Sequence, residues 1–446
     1  MSGERGDEAG GRTLPPAMHL ELLDERQVGG LREAVFTQLA AQGEINWVEH
    51  SLSSARPGWV LAGRAAPDAL FGGGHMALAA GGLATAIRDG VGAEPRPITG
   101  ADIDMFCRVA DALPHVAVLE PPCVPGDDDA AARLAALARA FAVSGKHIMA
   151  VCGSLPEASA VIQMAATVAG GPEELRRRPL VTLVLMPGVG VSAANAAAAA
   201  GVPCLIAMAP TFCGTEEGAG ALTESFALAL GVAAAMQFSH PGAPVGLALP
   251  PGRRRPLDAA ALTGMAAAAQ LAGSFGLPFM ATALATAAAA PDWLASAENT
   301  FAALVCSTAG AAGIAGAGLL DGGASISPHE LVMDTEIFSY CSATAAGIPV
   351  DEETIALETI EHVGIAGNAL GERHTRRHMR DVWRPRLFDR TPYGAWEREG
   401  RRQSYELADD RVQQILETPA ADPLPADTAA ELTKIAESAG RSSRDT

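Results

Sequence analysis

Where apolar, strand-like runs stop, this chain of 446 residues places polar side chains. Five stretches do so: "EPPCVPGDD" with Glu120, Cys123 and Asp127; "VCGSLPEAS" with Cys152 and Ser154; "PGVGVSAAN" with Asn195; "PTFCGTEEG" with Thr211, Cys213, Glu216 and Glu217; and "LLDGGASISPHE" with Asp321, Ser325 and His329. Carboxylates in such places can hold a cation or move a proton. Glu216 and Glu217 suit that use if one points inward; the plainer alternative is that they cap the next helix. Asp321, in a glycine-rich loop before a helix, is open to the same two uses. Cys123, Cys152 and Cys213 could converge on zinc, against the plainer reading as small buried hydrophobes. His374 and His378 share one face if "GERHTRRHMRDVW" is helical, but HExxH is absent and no metal is expected there.

The elements that must carry these residues follow a repeated grammar. Apolar runs at 116–120, 147–151, 180–186, 204–209, 245–250, 278–283 and 312–320 alternate with Ala/Leu-rich helical stretches. Strands separated by helices of this size imply right-handed crossovers and a parallel sheet. Continuous apolar strands imply that both faces are covered. The expected fold is an α/β, (β/α)8 TIM-type barrel with an N-terminal helical extension and a C-terminal strap. The eighth strand is either "LFGGGHMALAA" before the series or "HVGIAGN" after it. An open doubly wound sheet is the alternative, though no GxGxxG opens a helix after the first strand. Asp24 is read as the N-cap of a first helix ending near Gly43. The expected organisation is a disordered 1–16, a helix and short strands in 17–95, the barrel with its strap in 96–415, and a flexible tail in 416–446, with "TPAADPLPADT" disordered.

Composition narrows the class. A net charge of -19 argues against nucleic acid. Lysine is nearly absent, and Lys146, at the start of its strand, lies on the wrong face for Schiff-base chemistry. Seven Cys without a CxxC pair suit reduced thiols. No apolar signal core opens the chain and no run reads as a membrane span, so a cytoplasmic protein is expected.

One stretch concentrates the scarce aromatics. "WRPRLFDRTPYGAWE" (383–397) either cages a ligand or straps the C-terminal segment to the body, and the strap is favoured: Pro385 and Pro392 stiffen it, Trp383 and Trp396 can bury large areas, and Arg384 and Arg386 can pair with acidic surface.

The longer run "GNALGERHTRRHMRDVWRPRLFDRTPYGAWEREG" resembles the C-terminal signature of the trimethylamine methyltransferase family. "RPITGADIDMFCRVADALPHV", "AAAAGVPCLIAMAP" and "GAGLLDGGASISPHELVMDTEI" match more loosely, so the likeness spans about 95–415. It implies a (β/α)8 barrel that moves a methyl group from a quaternary or tertiary amine to the Co(I) of a corrinoid on a separate protein. The corrinoid-anchoring D-x-H-x-x-G pattern is absent, so the cofactor would come with that partner; a homo-oligomer is also possible. A betaine-like cation needs carboxylates and π faces. From their positions, Asp321 is expected to face the cation, Glu216 to assist orientation and His374 to fix the floor as the catalytic set. Asn195, Thr211 and Ser325 bind substrate, and no metal site is expected. The turn "AGAGLLD" has Ala315 in the family's Tyr place and Asp321 in its Glu place, and "MATALATAAAAPD" carries no pyrrolysine. These departures leave two alternatives: a degenerate barrel that binds an amine or corrinoid protein without turnover, and a zinc-dependent methyltransferase.

Overall fold

A computed structural model describes residues 20–41, 48, 51–124, 130–208, 218–249, 258–365, 367–419 and 422–442. The expectation of disorder in 1–16 lies outside them. Eight parallel strands close into a barrel: β1 (Ala77–Gly81), β2 (Val116–Glu120), β3 (His147–Cys152), β4 (Val181–Leu185), β5 (Cys204–Ala207), β6 (Val245–Leu249), β7 (Phe279–Thr282) and β8 (Gly313–Ala317). Each strand pairs with its sequence neighbours, and β8 closes on β1 through Gly313–Ala77 and Ala315–Ala79. The unplaced strand is thus the run before the series, and the barrel opens at Ala77 rather than 96. Its "ALAAG" is short and alanine-rich, so it carries little of the β-branched signal that marks a strand.

After an outer helix α1 (Glu25–Ala41), the barrel is ringed by α2 (Gly100–Ala112), α3 (Ala130–Val143), α4 (Leu155–Ala169), α5 (Val191–Ala200), α6 (Gly218–Ser239), α7 (Ala259–Ser274), α8 (Trp293–Thr308) and α9 (Pro328–Ala345). Asp24 caps α1 as expected: its Oδ1 accepts from the Gln27 N–H at 2.7 Å, and Gln27 Oε1 accepts from the Asp24 N–H at 2.9 Å. Helix α6 is long and apolar enough to cross a membrane by length and composition. Here it joins β5 to β6 and buries Phe226, Leu230 and Ala233.

The barrel interior is lined by small residues, among them Ala77, Ala79, Ala207, Ala248 and Ala315. Small side chains leave a wide bore, and a hairpin of Gly58–Leu61 and Ala69–Gly72 fills its N-terminal end. Trp59 and Phe71, with ring centroids 4.7 Å apart, insert there beside Met280 and Leu205. His147 locks the plug, bonding Ala62 O at 3.1 Å and Thr182 Oγ1 at 2.9 Å. Burial pushes its imidazole down to about 4, so it is neutral at pH 7. Lys146 lies at this same end, buried, with its ammonium donating to Leu113 O and Val116 O. It takes no place at the opposite, C-terminal mouth.

The C-terminal segment differs from the flexible tail expected for 416–446. Helix α10 (Ser404–Glu417) packs on α9 and α2, and α11 (Ala426–Ser442) packs on α3 and α4. Leu432, Ile435 and Ala436 recur at helical spacing and are buried. The Pro- and Asp-rich lead-in is pinned as well: the Leu424 N–H donates to Ala142 O at 3.1 Å and Asp422 pairs with Arg64.

Candidate functional site

Side chains at the C-terminal ends of barrel strands converge on one mouth. The eight strand-end residues are Gly81, Glu120, Cys152, Leu185, Ala207, Leu249, Thr282 and Ala317. Thr282 spends its hydroxyl on Leu249 O at 2.6 Å. Glu120 alone among the eight is a carboxylate. It lies two residues beyond Val118, which packs in the barrel interior, and so shares that strand's inward face. It is 2% exposed, and its Oε1 has no hydrogen-bond partner among the described residues. Burial without a compensating cation pushes its carboxyl up to about 7. A cavity of about 20 Å³, room for one water, lies beside it between the strand ends and the helices around them, walled by Met149 and Val151 on one side and by Arg133, Leu134, Leu137 and Val161 on the other. Arg133 does not neutralise Glu120. It is committed to Glu157, with Nε–Oε1 2.6 Å and Nη2–Oε2 2.8 Å, and Glu157 also accepts the Gly153 N–H at 2.7 Å.

Asp321 sits on the rim, in the turn between two short strands, Leu319–Leu320 and Ser325–Ile326, which form a small sheet with Ala86–Ile87 and Arg96–Pro97. Its φ of 53° is left-handed, which Asp tolerates better than most side chains. Its Oδ2 accepts from Ser325 Oγ at 2.7 Å and lies 3.2 Å from Arg88 Nη2. Asp321 and Ser325, both expected in the pocket, are therefore together, but in an arginine-paired cluster. Behind the turn, Asp334 Oδ2 accepts from the Gly318 N–H at 2.7 Å, while Asn299 Nδ2 donates to Asp334 at 2.8 Å and Glu330 at 3.1 Å. Burial raises both carboxyls, and the charge of Asp334 raises Glu330 further, far above its usual value, while the hydrogen bonds of Gly318, Asn299 and Glu330 hold Asp334 back.

The remaining expected residues are dispersed. Asn195 lies within α5, past the loop, with its Oδ1 buried and unpartnered among the described residues. Glu216 and Thr211 lie outside the described residues, as do Glu217 and Cys213. His374 is carried by a short helix, Arg373–His378, in the segment that leaves the far end of α9. There its Nε2 bonds Glu353 O at 2.8 Å and its ring lies 4.4 Å from that of His378. That helix end points away from the mouth, because α9 starts at the mouth and runs toward the N-terminal end of the barrel. The described tryptophans supply no π face to the mouth: Trp59 plugs the opposite end, while Trp293, Trp383 and Trp396 lie outside the barrel. Nor do three His, Cys, Asp or Glu side chains gather as metal ligands among the described residues. Cys152, named for zinc, is buried, and desolvation holds its thiol protonated.

The strap takes shape around α9. Trp383 Nε1 donates to Ser339 Oγ at 2.9 Å, its ring lies 5.0 Å from Tyr340, and Leu387 is buried. Glu336 accepts the backbone N–H of Arg386 at 2.7 Å and of Leu387 at 3.2 Å. The acidic partner expected for the arginine side chains thus binds the backbone instead.

The family model described as trimethylamine methyltransferase (MTTB) matches residues 32–438. The chain belongs to this family. It is 30% identical over 413 residues, 87% of this chain and 82% of the relative, to the trimethylamine methyltransferase MttB of Desulfitobacterium hafniense. A glycine betaine methyltransferase of the same species is 26% identical over 356 residues, covering 74% of this chain and 73% of that one. The Methanosarcina barkeri trimethylamine methyltransferase MttB is 36% identical over 179 residues, only 40% of this chain and 36% of its own. Among solved structures, a hydroxylamine complex of MtmB aligns with a TM-score of 0.46 and 13% identity, covering 90% of this chain and 88% of that one. The chain is thus a methyltransferase-family barrel, with Glu120, visible in the sequence as a strand-end acid but not expected in the pocket, as the buried carboxyl at its mouth.

Proposed function

We propose that this protein removes a methyl group from a quaternary or tertiary amine and delivers it to the Co(I) of a corrinoid held by a separate protein in the cytoplasm. The observation that carries the reading is Glu120: a buried carboxyl at a strand end of the mouth, with no cation paired to it among the described residues. A site of that kind is completed by a positively charged ligand, since an unpaired buried carboxylate is costly and a paired one is not. The amine names of the relatives support a methylammonium as that ligand.

The residues then divide the work. Glu120, once ionised, draws the ammonium group to the strand ends; the space beside it admits one water and not the amine, so the pairing runs across that water among largely apolar neighbours that keep it strong. A corrinoid would supply the electron pair that takes the methyl group. The C–N bonding pair stays on nitrogen, so a quaternary amine leaves neutral and no general acid is needed. Loss of the positive charge leaves Glu120 unpaired, and the carboxylate takes a proton from solvent as the neutral amine departs. Arg88 and Asp321 shape the rim. The described residues fit a corrinoid brought by a partner: most strand ends are apolar, and Cys123 and Cys152 beside them are buried rather than presented as ligands.

The test combines binding and turnover. Purified protein is titrated with glycine betaine, carnitine, choline and trimethylamine by calorimetry, then mixed with Co(I) cobalamin under anaerobiosis. Loss of Co(I) absorbance together with the demethylated amine in the mass spectrum supports transfer. Binding without either, even with a cognate corrinoid protein, leaves the non-catalytic barrel as the function.

A further inference from the structure

The segment 346–402 is tied to the body through α9, yet it exposes far more apolar surface than a strap requires. Ile365 is 105% exposed, Ile348 87%, Val350 77% and Leu370 76%. Beside it, α8 presents Phe301 at 63%, on the face it shares with Trp293. Helices α8 and α9 are side by side there, with Cys341 Sγ 3.6 Å from Thr300 O, so the strap and this face form one continuous surface. Contiguous exposed apolar patches on folded proteins mark association sites.

The charge pattern selects the occupant. Residues 351–372 hold six carboxylates and no Lys or Arg, whereas 373–402 hold ten Arg against four carboxylates, in a chain of net charge -19. The two stretches of opposite sign lie against each other at Glu353, which pairs with Arg377 and whose carbonyl bonds His374. Glu352, Glu358 and Glu361 on one strip, and Arg373, Arg376 and Arg380 on the other, have no ion-pair partner among the described residues. A partner of single sign would be repelled by one strip. A second copy related by a two-fold axis is not, because the rotation lays each acidic strip against the other copy's basic strip.

We infer that this surface is the interface through which two copies of the chain associate about a two-fold axis, acidic strip 351–372 on basic strip 373–402. Neither strip belongs to the mouth, so the pairing stands independently of the amine site.

Sedimentation of the full-length chain tests it. Wild type should sediment as a dimer or an even-numbered multiple, weakening as salt rises. Glu358→Arg/Glu361→Arg and Arg376→Glu/Arg380→Glu should each weaken self-association about tenfold or more, with folding checked by circular dichroism. An equal mixture should pair again, because in the mixed dimer one contact is reversed on both sides and the other is native. Ile365→Asp/Leu370→Asp gives a second disruption that does not rely on charge reversal. A monomeric wild type, association untouched by all three variants, or no recovery on mixing would each overturn the inference.

Discussion

Arg88 reaches across 233 positions of sequence to Asp321, its Nε 3.3 Å and its Nη2 3.2 Å from the same carboxylate oxygen that accepts the Ser325 hydroxyl. The rim acid is thus already neutralised, whereas the acid at the strand ends meets no cation among the described residues. If Asp321 shapes the rim while Glu120 meets the ligand, the two acids separate on mutation. Asp321→Asn keeps the shape and weakens one partly exposed pair, so it should cost about 1 kcal/mol of stability and change amine affinity less than about threefold. Glu120→Gln should weaken amine binding about a hundredfold. Calorimetric titration of both variants decides it, and the reverse ranking would move the cation to Asp321.

Glu120 also ties stability and binding to pH. Its carboxyl is raised from 4.5 to about 7 by burial, so between those values the unfolded chain has lost a proton that the folded chain keeps. Stability contributed by the protonated group is therefore whole below about 4.5 and is lost as pH rises to about 7, on the order of 3 kcal/mol in all. Buried Asp334 titrates in the same window, so the observable is the difference between wild type and Glu120→Gln, read from urea unfolding at several pH values. Cation binding has the opposite slope. Affinity should rise about tenfold per unit up to pH 7 and then level off, because the ligand needs the ionised form.

How much of this was legible in the sequence depends on the range of the interaction. The strand runs from 116 to 317 were readable because covered parallel strands are continuously apolar, and the observed β2, β3, β5 and β6 begin on the expected residues. Ala77–Gly81 was ambiguous because alanine marks neither strand nor helix strongly once glycines interrupt it. Glu120 was visible as a strand-end acid, but nothing local says that no cation comes to meet it. The Arg88–Asp321 pair and the position of His374 at the far end of α9 depend on closure of the barrel and on the return of the chain beyond it. Helix α11 was missed because a short amphipathic segment after a Pro-rich linker has the composition of a tail, and only its 3–4 spacing of Leu432, Ile435 and Ala436 shows a buried face.

Within α9, Glu330 and Asp334 stand one turn apart, and their environments assign different states. Glu330 is held neutral at pH 7 by burial and its neighbour, so Glu330→Gln replaces a protonated acid with a near-isostere and should cost under about 1 kcal/mol. Asp334→Ala strands the Gly318 N–H and one donor of Asn299 in the interior, which should cost about 3 kcal/mol or more. Denaturant midpoints of the two variants at pH 7 separate the cases. Equal losses would show that the pair does not share its charge in this way.

The strap yields the last prediction, and it concerns attachment rather than chemistry. Glu336 receives two consecutive backbone N–H groups, from Arg386 and Leu387, at the point where Leu387 is buried and Trp383 stacks near Tyr340. Glu336→Ala removes both acceptors at once and leaves two donors to find water at a largely buried contact, a loss of about 2 kcal/mol. The strap is held by few such points, so local release should precede global unfolding. Limited proteolysis should then cut the variant between 372 and 390 while the barrel core stays intact, and wild type should resist under the same conditions. Trp383→Ala should act the same way through lost packing. Unchanged cleavage in both variants would mean that the C-terminal segment is anchored elsewhere. Amine affinity should stay near wild type in either case, because the attachment lies on the outer face of α9, across the barrel wall from Glu120.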